Sequence, residues 1–112
     1  MQVRIILCFS DKILLVKTGQ HWSLPTQELE QPLIPTAQAI RLLSQLGLWA
    51  TINDLQFLRV NASFVDFKVE VPPHKFAQII TNDQHQWQEK EKLGDDLRWV
   101  KNLTPDRESL IK

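Results

Sequence analysis

The sequence predicts an α+β sandwich. Three observations carry that reading: two adjacent aliphatic strands open the chain, one amphipathic helix follows, and strand patterning then resumes. No internal repeat or low-complexity tract interrupts this order. Residues 3–9 and 13–16 are β-branched and aliphatic, and Ser10, Asp11 and Lys12 between them supply turn chemistry, so the pair reads as a hairpin with largely buried strands. Thr18, Gly19 and Gln20 end it. His21, Trp22, Ser23 and Leu24 alternate polar and apolar up to Pro25, as a short strand does. Residues 26–35 hold Pro32 and Pro35 and read as an irregular loop.

From residue 36 to 46 the period becomes helical. At about 100° per residue, Ala39, Ile40, Leu42, Leu43 and Leu46 share one arc, while Gln38, Arg41, Ser44 and Gln45 share the opposite one. Pro35 or Thr36 marks the start, and Gly47 suits the left-handed position past the end. Residues 55–60 and 62–71 then look like strands joined about Asn61, the second stopped by Pro72 and Pro73. Residues 76–81 suit either a strand or one helical turn. The polar stretch 82–96 reads as a surface excursion, residues 97–100 as a last strand, and Thr104, Pro105 and Asp106 as the start of a short C-terminal helix.

A chain of 112 residues, 43% hydrophobic and 23% charged, suits one globular domain over 1–112. It is long enough to bury roughly 65% of its unfolded surface, so it needs no covalent staple. The single Cys8, set in an apolar strand, excludes an internal disulfide scaffold and a cysteine-based zinc site; a cytoplasmic setting and an inert buried thiol are expected. Thirteen cations balance thirteen anions, four of each sign in residues 1–56 and nine of each in 57–112. Without a basic cluster to neutralise phosphates, nucleic-acid binding is not expected as a main role. Apolar runs such as Ile5 to Phe9 fall far short of the roughly 20 residues of a membrane span, and no signal peptide opens the chain, so no membrane association is expected.

Familiar catalytic motifs are missing from the text of the sequence. Gly19, Gly47 and Gly94 are too far apart for a phosphate loop, and His21, His74 and His85 share no metal-ligand spacing. What remains is an order of features: a hairpin, then Trp22, Ser23, Leu24 and Pro25, then a loop, then an amphipathic helix closed by Gly47 and Leu48, then strands ending near Leu97, Arg98, Trp99 and Val100.

This order resembles the Nudix hydrolase family over nearly the whole chain. The resemblance implies an α/β/α sandwich with a mixed sheet, a signature-type helix and a short C-terminal helix. In that family, tryptophan-x-leucine-proline leads into a signature of glycine, five residues, glutamate, seven residues, then arginine-glutamate-apolar-x-glutamate-glutamate-x-glycine-apolar. Gly47 and Leu48 match the final pair, and counting back puts the opening glycine on Thr26, directly after Pro25. The same frame puts the first glutamate on Pro32, the arginine on Ile40, its neighbouring glutamate on Arg41, and the glutamate pair on Ser44 and Gln45. Sliding by one, so that Arg41 takes the arginine, puts Gln45 and Leu46 at the pair. Neither frame restores an acid.

That matters because Mg²⁺ and Mn²⁺ are hard cations that leave water for converging carboxylates. The helix face offers Gln38, Arg41, Ser44 and Gln45 instead, so no catalytic residue, metal ligand or cofactor is assigned. The expected role is a catalytically degenerate domain that binds a protein partner as a scaffold or senses a nucleotide-like ligand. A divergent hydrolase of nucleoside diphosphate-linked compounds remains an alternative, with Mg²⁺ or Mn²⁺ held by carboxylates such as Glu28, Glu30, Asp95 or Asp96; a small accessory subunit is another. Candidate ligand contacts are Trp22, Arg41 and Ser44, against the plainer readings of a core tryptophan and a solvated helix face. His85 and Trp87 are read equally as loop anchors or ligand contacts, and Trp49 and Trp87 are expected as exposed aromatics for a partner.

Overall fold

The structure, a computed structural model, describes residues 1–103. β1 (Gln2–Phe9) turns through Ser10 and Asp11 into β2 (Lys12–Thr18), with Cys8 opposite Ile13 and Phe9 opposite Lys12. Ser10 takes φ 55°, the sign that a two-residue hairpin turn favours. Beyond those two pairs the strands part. β1 turns its free edge to β4 (Thr26–Glu28), β2 turns its own to β3 (His21–Ser23), and the Ile5 amide donates to the Pro25 carbonyl between them at 2.9 Å.

α1 (Pro35–Gln45) is the crossover that lets β6 (Phe64–Glu70) run parallel to β1, in register from Gln2 opposite Phe64 to Cys8 opposite Glu70. β5 (Gln56–Val60) pairs antiparallel with β6 and ends the sheet on that side. Asn61 makes the turn between them, its Oδ1 accepting the Ser63 and Phe64 amides at 2.8 Å each.

Side-chain alternation sends Val3, Ile5 and Leu7 of β1, with Val65, Phe67 and Val69 of β6, against Ala39, Leu42 and Leu43 of α1. The other face carries Ile6, Cys8, Ile13 and Leu15 against Leu24, Leu93, Leu97 and Val100. Because both faces are covered, the run Ile5 to Cys8 is continuously apolar. Helix α1 starts on Pro35 and ends in a Schellman motif: the Leu48 amide donates to Leu43 O at 2.9 Å, the Gly47 amide to Ser44 O at 3.1 Å, and Gly47 takes φ 98°.

The structure departs from the sequence reading in several places. Residues 82–96 are no mere excursion: β7 (His85–Glu89) pairs antiparallel with β2, Trp87 opposite Leu14. Its glutamines and glutamate masked a strand in which Trp87 is the one apolar side chain. Residues 97–100 are not a strand but part of the 3-10 segment Asp95–Leu103, which lays Leu97 and Val100, three apart, onto the sheet face opposite α1. The loop 26–35 contains the strand β4. Gln38, assigned to the solvated arc, is 0% exposed, while Ile40 from the apolar arc is only half-buried. Residues 76–78 belong to the 3-10 turn Pro73–Gln78, so that segment begins as helical turn. The helix expected from Thr104 lies outside the described residues.

Candidate functional site

Thr26, which the sequence resemblance sets at the opening glycine, is exposed at the start of β4 and its Oγ1 donates to Leu24 O at 2.8 Å. Pro32 follows a cis peptide bond in the exposed loop before α1. On α1, Arg41 Nη1 lies 3.5 Å from Glu30 Oε2, and Ser44 Oγ donates to Arg41 O at 2.8 Å. Gln45 Oε1 accepts from Gln27 Nε2 at 2.5 Å, Gln27 Oε1 accepts from buried Gln38 Nε2 at 2.6 Å, and Gln38 Oε1 accepts the Glu30 amide at 3.2 Å. The loop before α1 is thereby tied to the helix by three glutamine side chains in series.

This donor set does not fit a hard dication. Neutral amides and a hydroxyl engaged with their own backbone offer no net negative charge, and the Arg41 guanidinium stands beside them. The nearby carboxylates are dispersed. Glu30 meets Arg41, Glu28 meets Gln2 Nε2 at 3.2 Å and the terminal amine at 3.8 Å, and Asp95 meets Arg98 at 2.5 Å. Among the described residues, no three His, Cys, Asp or Glu side chains come together as a metal cluster would.

A recess lies on the opposite face of the sheet. A cavity of about 320 Å³ is walled by Leu15, Trp22, Gln86, Gln88, Lys92, Leu93, Gly94, Asp96 and Leu97. It adjoins a more open polar recess of about 560 Å³ lined by residues that include Gln2, Arg4, Thr26, Gln27, Glu28 and Phe64, and Asp96 and Leu97 border both. The alternation of β7 points Gln86 and Gln88 here while Trp87 turns to the other side. Trp22 and Thr26 thus fall on these recesses; Arg41, Ser44 and Gln45 line neither. Trp22, half-buried, is both a wall and a packing residue.

Sequence reasoning missed one polar cluster at the rim. Asp66, fully buried on β6, receives Arg4 through Nε and Nη2 at 2.9 Å each and Arg59 Nε at 2.8 Å. Arg4 stands 4.2 Å from the Phe64 ring centre, and Trp99 stacks on Arg59 at 4.0 Å and on Arg4 at 5.2 Å. Burial pushes the Asp66 carboxyl up, but the hydrogen bonds and charges of the two guanidiniums outweigh it and hold the group below its ordinary 3.8. The signal was an aspartate between Val65 and Phe67, legible only once β1 and β6 are known to be parallel neighbours with Arg4 opposite Asp66.

His85 Nδ1 meets Asn82 Oδ1 at 3.1 Å and closes its turn. Trp87, expected as exposed, is half-buried against Phe76 at 5.2 Å and Phe9 at 6.3 Å between ring centres. Trp49, by contrast, is 81% exposed.

No protein-family profile and no curated protein matches the sequence. Solved structures do match by shape. A MutT/Nudix family protein from Listeria innocua superimposes with a TM-score of 0.70 at 15% identity, over 98% of this chain and 95% of its own. A MutT structure from work on Aliivibrio salmonicida and Vibrio cholerae gives 0.62 at 17% identity, over 91% and 93%. A MutT/Nudix family protein from Enterococcus faecalis gives 0.62 at 15% identity over 79% of this chain, which spans only 42% of that longer protein. The mixed sheet split between β1 and β2, with α1 on one face and a 3-10 segment on the other, is the fold of the Nudix hydrolases.

Proposed function

We propose that this chain is a catalytically degenerate Nudix-like domain that binds a nucleotide-like ligand or a protein partner without hydrolysing it. The observation that carries this reading is the outer face of α1, where Arg41, Ser44 and Gln45 stand in the frame of the signature acids and are each engaged by a neighbour within the protein. A Nudix hydrolase uses that face to hold a dication beside a diphosphate, and these side chains supply no charge for it. The Trp22 recess supports ligand binding: an indole wall suits a planar base, Gln86 and Gln88 offer both donors and acceptors, and Lys92 offers a cation.

The test pairs calorimetric titration of Mg²⁺ and Mn²⁺ with a turnover assay over a panel of nucleoside di- and triphosphates, dinucleoside polyphosphates and nucleotide sugars. Thermal-shift measurements use the same panel. The expected result is no turnover, with stabilisation by part of the panel that is lost in Trp22→Ala.

A divergent hydrolase is the second reading, favoured by Glu28 and Asp96 lining the same polar recess. Metal-dependent turnover abolished by Glu28→Gln or Asp96→Asn would replace the first reading with this one.

A further inference from the structure

β5 pairs only with β6, so its outer backbone edge is open among the described residues. Beside that edge runs a shallow groove of about 400 Å³ walled by Ile34, Pro35, Phe57, Val60, Val65 and Phe67, with no charged side chain in its lining. Ile34, Phe57 and Val60 are 63%, 57% and 56% exposed. Sheet edges are commonly guarded by lysine, proline, a bulge or a charge; β5 has neither lysine nor proline, and its bulge and its one charge, Arg59, leave the groove side apolar. The register shift between Phe57 and Arg59 turns Arg59 to the other face, where its half-exposed guanidinium stacks on Trp99 and shares Asp66 with Arg4. Two guanidiniums against one carboxylate leave that cluster net positive.

We propose that the β5 edge docks an extended segment of a partner protein, which adds to the sheet as a further strand. Its side chains toward the groove are uncharged and apolar, and on the other face it carries a carboxylate opposite Arg59. Area and charge select this occupant over a second copy of the chain. Three exposed apolar side chains, Ile34, Phe57 and Val60, suit one extended strand better than a stable interface between two folded copies, which takes roughly 800 Å² per partner. Self-pairing of β5 about a twofold axis would also bring two Arg59 side chains to the same face of the joined sheet. The groove is separate from the Trp22 recess, so the proposal stands or falls independently of the ligand reading.

The test uses the full chain labelled with ¹⁵N and a blocked peptide, Thr-Val-Glu-Val-Glu-Val-Thr, which places valines on one face and glutamates on the other. Saturable shifts confined to the amides of residues 56–60 and their groove neighbours are expected, with several-fold weaker binding when both glutamates are lysines. Val60→Lys, and independently Phe57→Lys, should abolish the shifts while the circular dichroism spectrum is retained. Absence of shifts at millimolar peptide, or equal binding of the lysine peptide, overturns the proposal. So does slow hydrogen exchange of the outward β5 amides in the free protein, or concentration-dependent dimerisation lost in Val60→Lys, since either would mean that the edge is already covered.

Discussion

Gln27 and Gln45 meet across the gap between β4 and α1, the Gln27 amide donating to Gln45 Oε1 at 2.5 Å while its own Oε1 accepts from Gln38. An amide donates and accepts, so a row of glutamines can satisfy itself; a row of glutamates in the same place would repel until a cation joined them. The two arrangements solve one packing problem, fastening the loop before the helix to the helix, with opposite consequences for a metal.

Placing acids on the helix should therefore create metal affinity before it creates activity. In Arg41→Glu/Ser44→Glu/Gln45→Glu, three carboxylates would project from adjacent turns of α1, and Mn²⁺ binding stronger than that of the parent protein should appear in calorimetry. Gln45→Glu alone should fold normally, because its carboxylate still accepts from Gln27, and should bind no metal. Indistinguishable titrations for the triple variant and the parent would show that acids on this helix face do not make a metal site.

Leu43 is fully buried against β1 and β6. Its replacement by alanine leaves a cavity in the layer between α1 and the sheet and should cost ~2–5 kcal/mol in urea denaturation. A midpoint equal to that of the parent would reject this packing.

Asp66 predicts an acid limb in the stability profile. Its folded value lies below the ordinary 3.8, so the group's contribution is fully present above that value and is lost as pH falls through the lower, folded one. Asp66→Asn should be less stable than the parent at neutral pH, with two guanidiniums left facing an amide. It should also show a shallower loss of stability below pH 3.8, measured by denaturant titration at successive pH values. Parallel profiles for the two proteins would assign the acid sensitivity elsewhere.

Cys8 should be chemically silent. Burial, and after it the charge of Glu70, raise its thiol to about 11, so the reactive thiolate is scarce at neutral pH. A chromogenic disulfide reagent should label native protein only at the rate of opening, and labelling should become immediate in denaturant. Immediate labelling of native protein would contradict the buried position of Cys8 on β1.

What was legible in the sequence follows from where local pattern and tertiary environment agree. α1 could be read because Pro35, the apolar arc and Gly47 all act locally. The hairpin about Asn61 could be read because one side chain makes the turn. β7 could not, because Trp87 is its one apolar side chain and its identity as a strand comes from pairing with β2, more than sixty residues earlier. Leu97 and Val100 were misassigned because an apolar pair spaced by three suits a short strand or a 3-10 turn, and the sheet beneath decides between them. The same limit governs the site. Gln45 and Ser44 could be numbered from the signature frame, but the partnership of Gln38 with Gln27, and of Arg4 with Asp66, depends on contacts between segments far apart in sequence.

Gly47, which closes α1, should prove structural. It holds φ 98°, a region where a side chain is strained, and its amide closes the Schellman motif onto Ser44. A Cβ at this position would also run into the carbonyl of Gln78, at the end of the 3-10 turn that packs beside the helix terminus. That second contact is with backbone, which cannot swing away as a flexible side chain could. Gly47→Ala should therefore lose ~1–3 kcal/mol from backbone strain alone and more from displacing Gln78. Neighbouring Ile80, whose amide donates to Leu46 O at 2.9 Å, should show the shift in its amide resonance. Gly19→Ala serves as the control: Gly19 has positive φ, at 63°, but open space around the position of a Cβ, so it should carry the strain term without the collision. Equal losses for the two variants in the same denaturation assay would show that the Gln78 contact contributes nothing, and that Gly47 is required only for its backbone angle.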